Sequence, residues 1–266
     1  MKKIWVFLTL AVCLTLSGFK TPDKQTVTVF AGDSITDGAW GGSNGTKIPA
    51  SKRNLNDLNH IYGHSYMMLC ASQLQADYPT QGLVFHNRGI SGNTLADLEQ
   101  RWQDDILALH PDVISILIGT NDVHIYLAGE RDEEFDYDGW EKRFRNLLDK
   151  AREQNPDVKF MIGTPFTAKS GETGKRDDFE ERREMIGKLD MILNKTTMDY
   201  DAQVIRYDTV FEETMAKYPD VPVEYWIWDG IHPTPAGHRL MADTWIDAFC
   251  SLFNYFCDNR LNGKLN

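Results

Sequence analysis

Val113-Ile114-Ser115-Ile116-Leu117-Ile118 (VISILI) is the most apolar short run outside the N-terminus, and Gly119-Thr120-Asn121-Asp122 follows it directly. Six residues without polar alternation, closed by a glycine, fit a strand buried on both faces rather than one lying on a sheet with a wet side. Four further runs have the same character: 26–31 (TVTVFA), 83–87 (LVFHN), 158–163 (VKFMIG) and 203–207 (QVIRY). Helical patterns lie between and after them, at 62–77, 94–109, 137–154, 177–201 and 236–253, with Pro79, Pro111 and Pro156 near boundaries. Strands alternating with helices imply a parallel sheet covered on both sides. Right-handed crossovers then give a doubly wound, three-layer α/β/α sandwich on about five strands, with VISILI at its centre.

Length and composition fit this reading. The chain has 266 residues, 42% of them hydrophobic, which is enough for one sizeable core in one domain over 21–266. The net charge of −11 argues against a nucleic-acid partner or docking on an anionic membrane surface. Met1-Lys2-Lys3, the apolar run from Ile4 to Leu16 and Ser17-Gly18 read as a signal peptide over 1–20, and so as a secreted or periplasmic protein. Leu10-Ala11-Val12-Cys13 is similar to a bacterial lipoprotein box, with bulky Val12 where that box has a small residue, so a lipid anchor at Cys13 is the alternative. No transmembrane segment is expected, because no run approaches spanning length.

Cleavage of the leader would leave Cys70, Cys250 and Cys257. The last two are seven apart on an expected helix. That puts them roughly 10 Å apart, beyond disulfide reach unless the helix end unwinds, so they read as small buried apolar residues. No CxxC or His/Cys cluster suggests a metal, and no Gly-rich phosphate loop follows a strand. The polar stretch 39–61, rich in Gly, Ser, Asn and Lys, is expected to be a long loop.

Four pieces carry chemistry. Gly32-Asp33-Ser34 follows the first strand, at the sheet edge where doubly wound folds bind ligands. Taken alone, it fits a helix N-cap equally well. Asp229-Gly230-Ile231-His232 offers a base with a carboxylate close enough to turn back onto its ring, in a loop stiffened by Pro233 and Pro235. Asn121 offers an amide donor at a strand terminus, as an oxyanion requires. Asn87-Arg88-Gly89-Ile90-Ser91-Gly92 is a glycine-containing turn that can bring a backbone N–H to a ligand.

With the pieces in this order, the chain resembles the SGNH (GDSL) hydrolases. The Ser block matches GDSITDG at 32–38 and the Gly block matches NRGISGNT at 87–94. The Asn block matches GTND at 119–122 and the His block DGIHPTPAGH at 229–238. The resemblance implies a flavodoxin-like sandwich and ester hydrolysis through an acyl-enzyme, without a metal or other cofactor. It implies Ser34 as nucleophile, His232 as base and Asp229 as its orienter. The oxyanion hole would be formed by the Ser34 N–H, Gly89 and Asn121.

Gly41-Gly42-Ser43-Asn44-Gly45 also fits the G-x-S-x-G elbow, but it lacks the flanking strand and helix that motif needs. Candidate substrate-binding residues are Asp33, Trp40, Asn93 and Trp228, the two tryptophans being equally able to stack on a sugar or to pack in the core. A polar, aromatic-rimmed site in a secreted enzyme points to deacetylation of carbohydrates. Lysophospholipase or thioesterase chemistry, and a catalytically inactive glycan-binding protein, are the alternatives. The partner is therefore a small-molecule or glycan ester.

Overall fold

The computed structural model describes residues 24–253; the leader at 1–20 with Cys13, and Cys257, lie outside the described residues. Five strands pair in parallel in the order β2-β1-β3-β4-β5: β1 (Thr26–Gly32), β2 (Leu83–Gly89), β3 (Val113–Leu117), β4 (Lys159–Gly163) and β5 (Gln203–Ile205). The VISILI run is the central strand, and each of its strand residues is buried.

The absence of polar alternation has a direct cause: both faces of the sheet are packed. Val29, Ala31, Ile114, Ile116, Phe160 and Ile162 enter one core. Their strand neighbours Phe30, Val113, Leu117 and Met161 enter the other. The first core is closed by α3 (Leu95–Gln100), α4 (Thr120–Ala128), α5 (Tyr137–Gln154) and α7 (Phe179–Asp199), and the second by α2 (Tyr66–Asp77), α8 (Tyr207–Lys217) and α9 (Pro235–Leu252). Ser115, the one polar residue of the central run, accepts a hydrogen bond from Trp245 Nε1 at 2.9 Å, so it is buried without an unpaired hydroxyl.

Helix α5 coincides with its expected range because Trp140, Phe144, Leu147, Leu148 and Ala151 make a stripe of helical period, and Asp136 caps its start by accepting from the Gly139 N–H. The 94–109 segment differs. A capping box of Thr94 and Asp97 starts α3, but the helix ends at Gln100 and continues as a wide turn (Trp102–Ile106) and a tight one (Leu107–Leu109). The run at 203–207 is also shorter than expected. β5 stops at Ile205, and Tyr207 opens α8, a helix the sequence reading did not include.

The cysteines are corrected in part. Cys70 is a buried thiol in the core, whereas Cys250 on α9, partly buried against the same core, is disulfide-bonded. Among the described residues no helix is long and apolar enough to cross a membrane.

The chain leaves β1 toward β2 on one side and returns past it to β3 on the other. The carboxyl ends of β1 and β3 therefore flank the point where the winding reverses, and a crevice forms there.

Candidate active site

The Ser block turns at the end of β1. Asp33 caps the short helix α1 (Ser34–Asp37), its carboxylate accepting from the Ile35 N–H at 3.0 Å. Ser34 is the first helical residue, so its own N–H has no intrahelical acceptor and its side chain sits at the mouth of the crevice.

The His block arrives from the far end of the chain. Ser34 Oγ lies 2.8 Å from His232 Nε2, and His232 Nδ1 lies 2.7 Å from Asp229 Oδ2. Asp229 Oδ1 also accepts from the backbone N–H groups of Ile231 at 3.0 Å and His232 at 2.7 Å. With Nδ1 donating to the carboxylate, Nε2 is left as acceptor for the serine hydroxyl.

This loop is braced from behind by the segment that follows β4. Ala168 N–H and Thr167 Oγ1 donate to the Gly230 carbonyl at 2.9 and 3.1 Å, and Ser170 Oγ donates to that of Ile227 at 2.6 Å. An antiparallel bridge between Ile227 and Pro233 closes the loop on itself.

The electrostatics suit a base. The hydrogen bond to Asp229 raises the His232 pKa above its ordinary value, with burial opposing. Burial pushes the Asp229 carboxyl up, but the hydrogen bonds from His232 and Ile231 outweigh it and leave the group below the usual carboxylate range. Burial pushes Asp33 up to about 7 and Asp122 up to about 6, despite the N–H donors that each of them faces.

The donors around Ser34 are arranged differently from the sequence expectation at one position. Asn121, at the start of α4, donates one amide hydrogen to the Asn93 carbonyl at 3.0 Å and keeps the other. Gly89, however, donates its N–H to Asn87 Oδ1 at 2.9 Å. It is a glycine because α1 packs directly on it; a Cβ there would run into the Thr36–Asp37 backbone. Gly89 is therefore corrected from an oxyanion donor to a packing residue. The glycine with an open backbone is Gly92, at φ 77° with nothing beside it and no acceptor for its N–H among the described residues.

Three expected substrate contacts are also corrected. Asp33 is buried and spends its carboxylate on the cap. Asn93 is buried and serves Asn121 and Arg101, its Oδ1 accepting from Arg101 Nε at 2.8 Å. Trp40 is fully buried, donates to the Gly89 carbonyl at 2.7 Å and lies under the Arg53 and Arg88 guanidiniums, 4.4 and 5.1 Å from its ring centre. Trp228 alone of the four faces solvent, 58% exposed, with its ring stacked 6.5 Å from the His232 ring.

The serine of the decoy motif, Ser43, is buried and donates to Asp37 at 3.3 Å. His238 accepts from the Tyr66 N–H at 3.1 Å at the head of α2, a structural role in keeping with its place beyond the catalytic loop.

Sequence reasoning missed Asp37 and Arg53. Their side chains form a fully buried pair, with Nη2–Oδ2 at 3.0 Å, and Asp37 Oδ2 also accepts from the Ser91 N–H and hydroxyl at 2.9 and 2.8 Å. The one available signal was a second acidic residue, Asp37, next to the last position of the Ser block.

The profile of the GDSL-like lipase/acylhydrolase family matches residues 30–240. An acetylxylan esterase from Geobacillus stearothermophilus is 31% identical over 221 residues, covering 80% of this chain and 89% of that protein. A crystal structure of that bacterium's acetylxylan esterase superposes with a TM-score of 0.68 at 26% identity, covering 86% of this chain and 95% of the other. A GDSL-like lipase from Parabacteroides merdae superposes at 0.70 with 28% identity, covering 85% and 96%. The ordered motif blocks, the 2-1-3-4-5 sheet and these matches agree, and the chain belongs to the GDSL-like lipase/acylhydrolase family.

Proposed function

We propose that the protein is an exported serine esterase that removes acetyl groups from carbohydrates. The observation that carries this reading is the continuous chain Ser34–His232–Asp229, with links of 2.8 and 2.7 Å. The Ser34 hydroxyl transfers its proton to His232 Nε2 as Oγ bonds the acyl carbon. The carbonyl oxygen takes up the electron pair and is held by the N–H groups of Ser34 and Gly92 and the spare Asn121 amide hydrogen. Collapse expels the sugar alkoxide, which takes the proton back from His232. Water, deprotonated by the same nitrogen, then cleaves the acyl-enzyme to the free acid and regenerates Ser34.

The acetylxylan esterase relative supports a carbohydrate substrate, and so does Trp228, an exposed flat ring beside the base. The basic and apolar N-terminus supports export.

The test has two arms. A fluorophosphonate should label the protein at Ser34 and should not label Ser34→Ala; labelling of that variant would overturn the assignment. On a panel of esters, acetylated xylo-oligosaccharides should be turned over with higher kcat/KM than lysophospholipid or long-chain thioesters. The reverse order would replace the carbohydrate reading with a lipid one, and retention of glycans without turnover of any ester would make the protein a binding module.

A further inference from the structure

Asn121 is held in place by a residue that neither the motif blocks nor the proposed chemistry includes. Its amide rests on the carbonyl of Asn93, and the Asn93 side chain is in turn held by Arg101, at 2.8 Å from Nε to Oδ1. The same guanidinium reaches the other side of the crevice, where Nη2 donates to the Gly32 carbonyl at 3.2 Å, two residues before Ser34. Nη1 faces Asp105 at 3.3 Å. The side chain is only 13% exposed, and burial lowers its pKa to about 10, so it stays cationic at neutral pH.

The backbone explains how Arg101 comes to stand there. α3 stops at Gln100, and the chain swells into the wide turn Trp102–Ile106, in which the Asp105 N–H bonds the Arg101 carbonyl at 2.9 Å. Wide turns of this kind are rare and are frequently found at functional sites. Leu95, Leu98, Trp102, Ile106 and Leu107 remain in the core across the irregularity, so it does not arise from a failure of apolar packing.

We propose that Arg101 is a positioning residue that sets the separation between Ser34 and the Asn121 amide. It spans from the strand end that carries the nucleophile to the turn on which the oxyanion donor rests. A planar fork with separate donors can hold two acceptors in fixed directions, which a lysine ammonium on a flexible stem cannot. This inference rests on the reading of Asn121 as an oxyanion donor, and the experiment separates the two claims.

Steady-state kinetics on an activated acetyl ester are measured for Arg101→Met, Asn121→Ala and the double variant, with thermal melts as folding controls. Asn121→Ala alone reports on the oxyanion reading and should lower kcat by about 10²–10³. Arg101→Met should lower kcat by roughly tenfold or more while KM stays within about twofold, because misplacement of a donor is felt in the transition state. In the Asn121→Ala background the same substitution should cost less than about twofold, since residues acting through one another are not additive. Asn93→Ala cuts the same link from its other end without removing a charge, so it serves if Arg101→Met folds poorly, and its effect too should vanish without Asn121. Arg101→Lys should recover only part of the rate. An unchanged kcat in Arg101→Met and Asn93→Ala, or an equal loss with and without Asn121, overturns the positioning role. If Asn121→Ala itself has full activity, the oxyanion reading fails first and takes this inference with it.

Discussion

Asp229→Asn is the substitution whose outcome the geometry constrains most tightly. Asp229 Oδ1 receives two backbone N–H donors, from Ile231 at 3.0 Å and His232 at 2.7 Å, while Oδ2 faces His232 Nδ1 at 2.7 Å. An asparagine must keep its oxygen toward the two backbone donors, because its NH2 group there would confront N–H with N–H. The NH2 group is thus forced opposite Nδ1, which then has to accept. The ring proton moves to Nε2, the nitrogen 2.8 Å from Ser34 Oγ, and the lone pair that should take the hydroxyl proton is gone. In Ser-His-Asp triads the wrong tautomer costs about 10⁴ in kcat, which at 1.36 kcal/mol per decade is about 5.4 kcal/mol of barrier. The pH profile changes as well. The base works when neutral, so activity appears as pH rises through the His232 pKa. The Asp229 bond raises that pKa, which places the wild-type acid limb above the ordinary histidine value; without the carboxylate the limb should move to lower pH. The assay is kcat and kcat/KM on p-nitrophenyl acetate from about pH 5 to 9, with a thermal melt to show that the fold survives. A loss smaller than about tenfold, with an unmoved acid limb, would refute the account of Asp229 as the group that fixes the tautomer.

Two further outcomes follow from the surroundings of the site. Arg53→Met leaves the Asp37 carboxylate buried without its ion partner, a loss of about 3–5 kcal/mol, and at about 2–4 °C per kcal/mol in a domain of this size the melting temperature should fall by roughly 6–20 °C; a change of less than about 3 °C by calorimetry would contradict the anchoring role. Trp228→Ala should raise KM for acetylated xylo-oligosaccharides by roughly two- to tenfold, the worth of one ring contact, while leaving kcat/KM on p-nitrophenyl acetate nearly unchanged; equal losses on both esters would place Trp228 in the chemistry rather than in sugar binding.

The fold was largely legible because its information is local. Each strand is a short run with little polar alternation, and both faces of the sheet are packed, so length, β-branched content and flanking turn residues mark it as a buried strand. What was lost lies where local and tertiary preferences compete. Residues 94–109 read as one helix because Leu95, Leu98, Trp102 and Ile106 keep helical spacing, and that spacing is also kept by a helix that swells by one residue after Arg101. The meeting of Ser34, Asp229 and His232 was legible from the motif blocks. The identity of the donor glycine was not, since the Gly block holds two glycines and the block alone does not say which N–H is already engaged. Trp40 misled for a similar reason: an aromatic beside a motif looks the same in sequence whether it faces solvent or carries two arginines in the core.

The polar insertion at 39–61 shows what composition leaves unsaid about a segment. Most of its polar side chains are exposed, as in a solvated loop, but Ser43 and Arg53 are turned inward. Arg53 donates to Asp37, to the Trp40 carbonyl at 3.1 Å and to the Ile48 carbonyl at 3.0 Å, and Ser43 adds a further bond to Asp37. Asp37 closes the Ser block and at the same time accepts two hydrogen bonds from Ser91, one residue before Gly92. The insertion therefore neutralises the one carboxylate that ties the nucleophile's helix to the turn bearing the open backbone N–H. A mobile lid would have to break a buried ion pair each time it opened, at a cost of several kcal/mol. A segment fixed in this way acts on catalysis by holding two motif blocks in register, and it leaves Trp228 as the exposed aromatic ring beside the base.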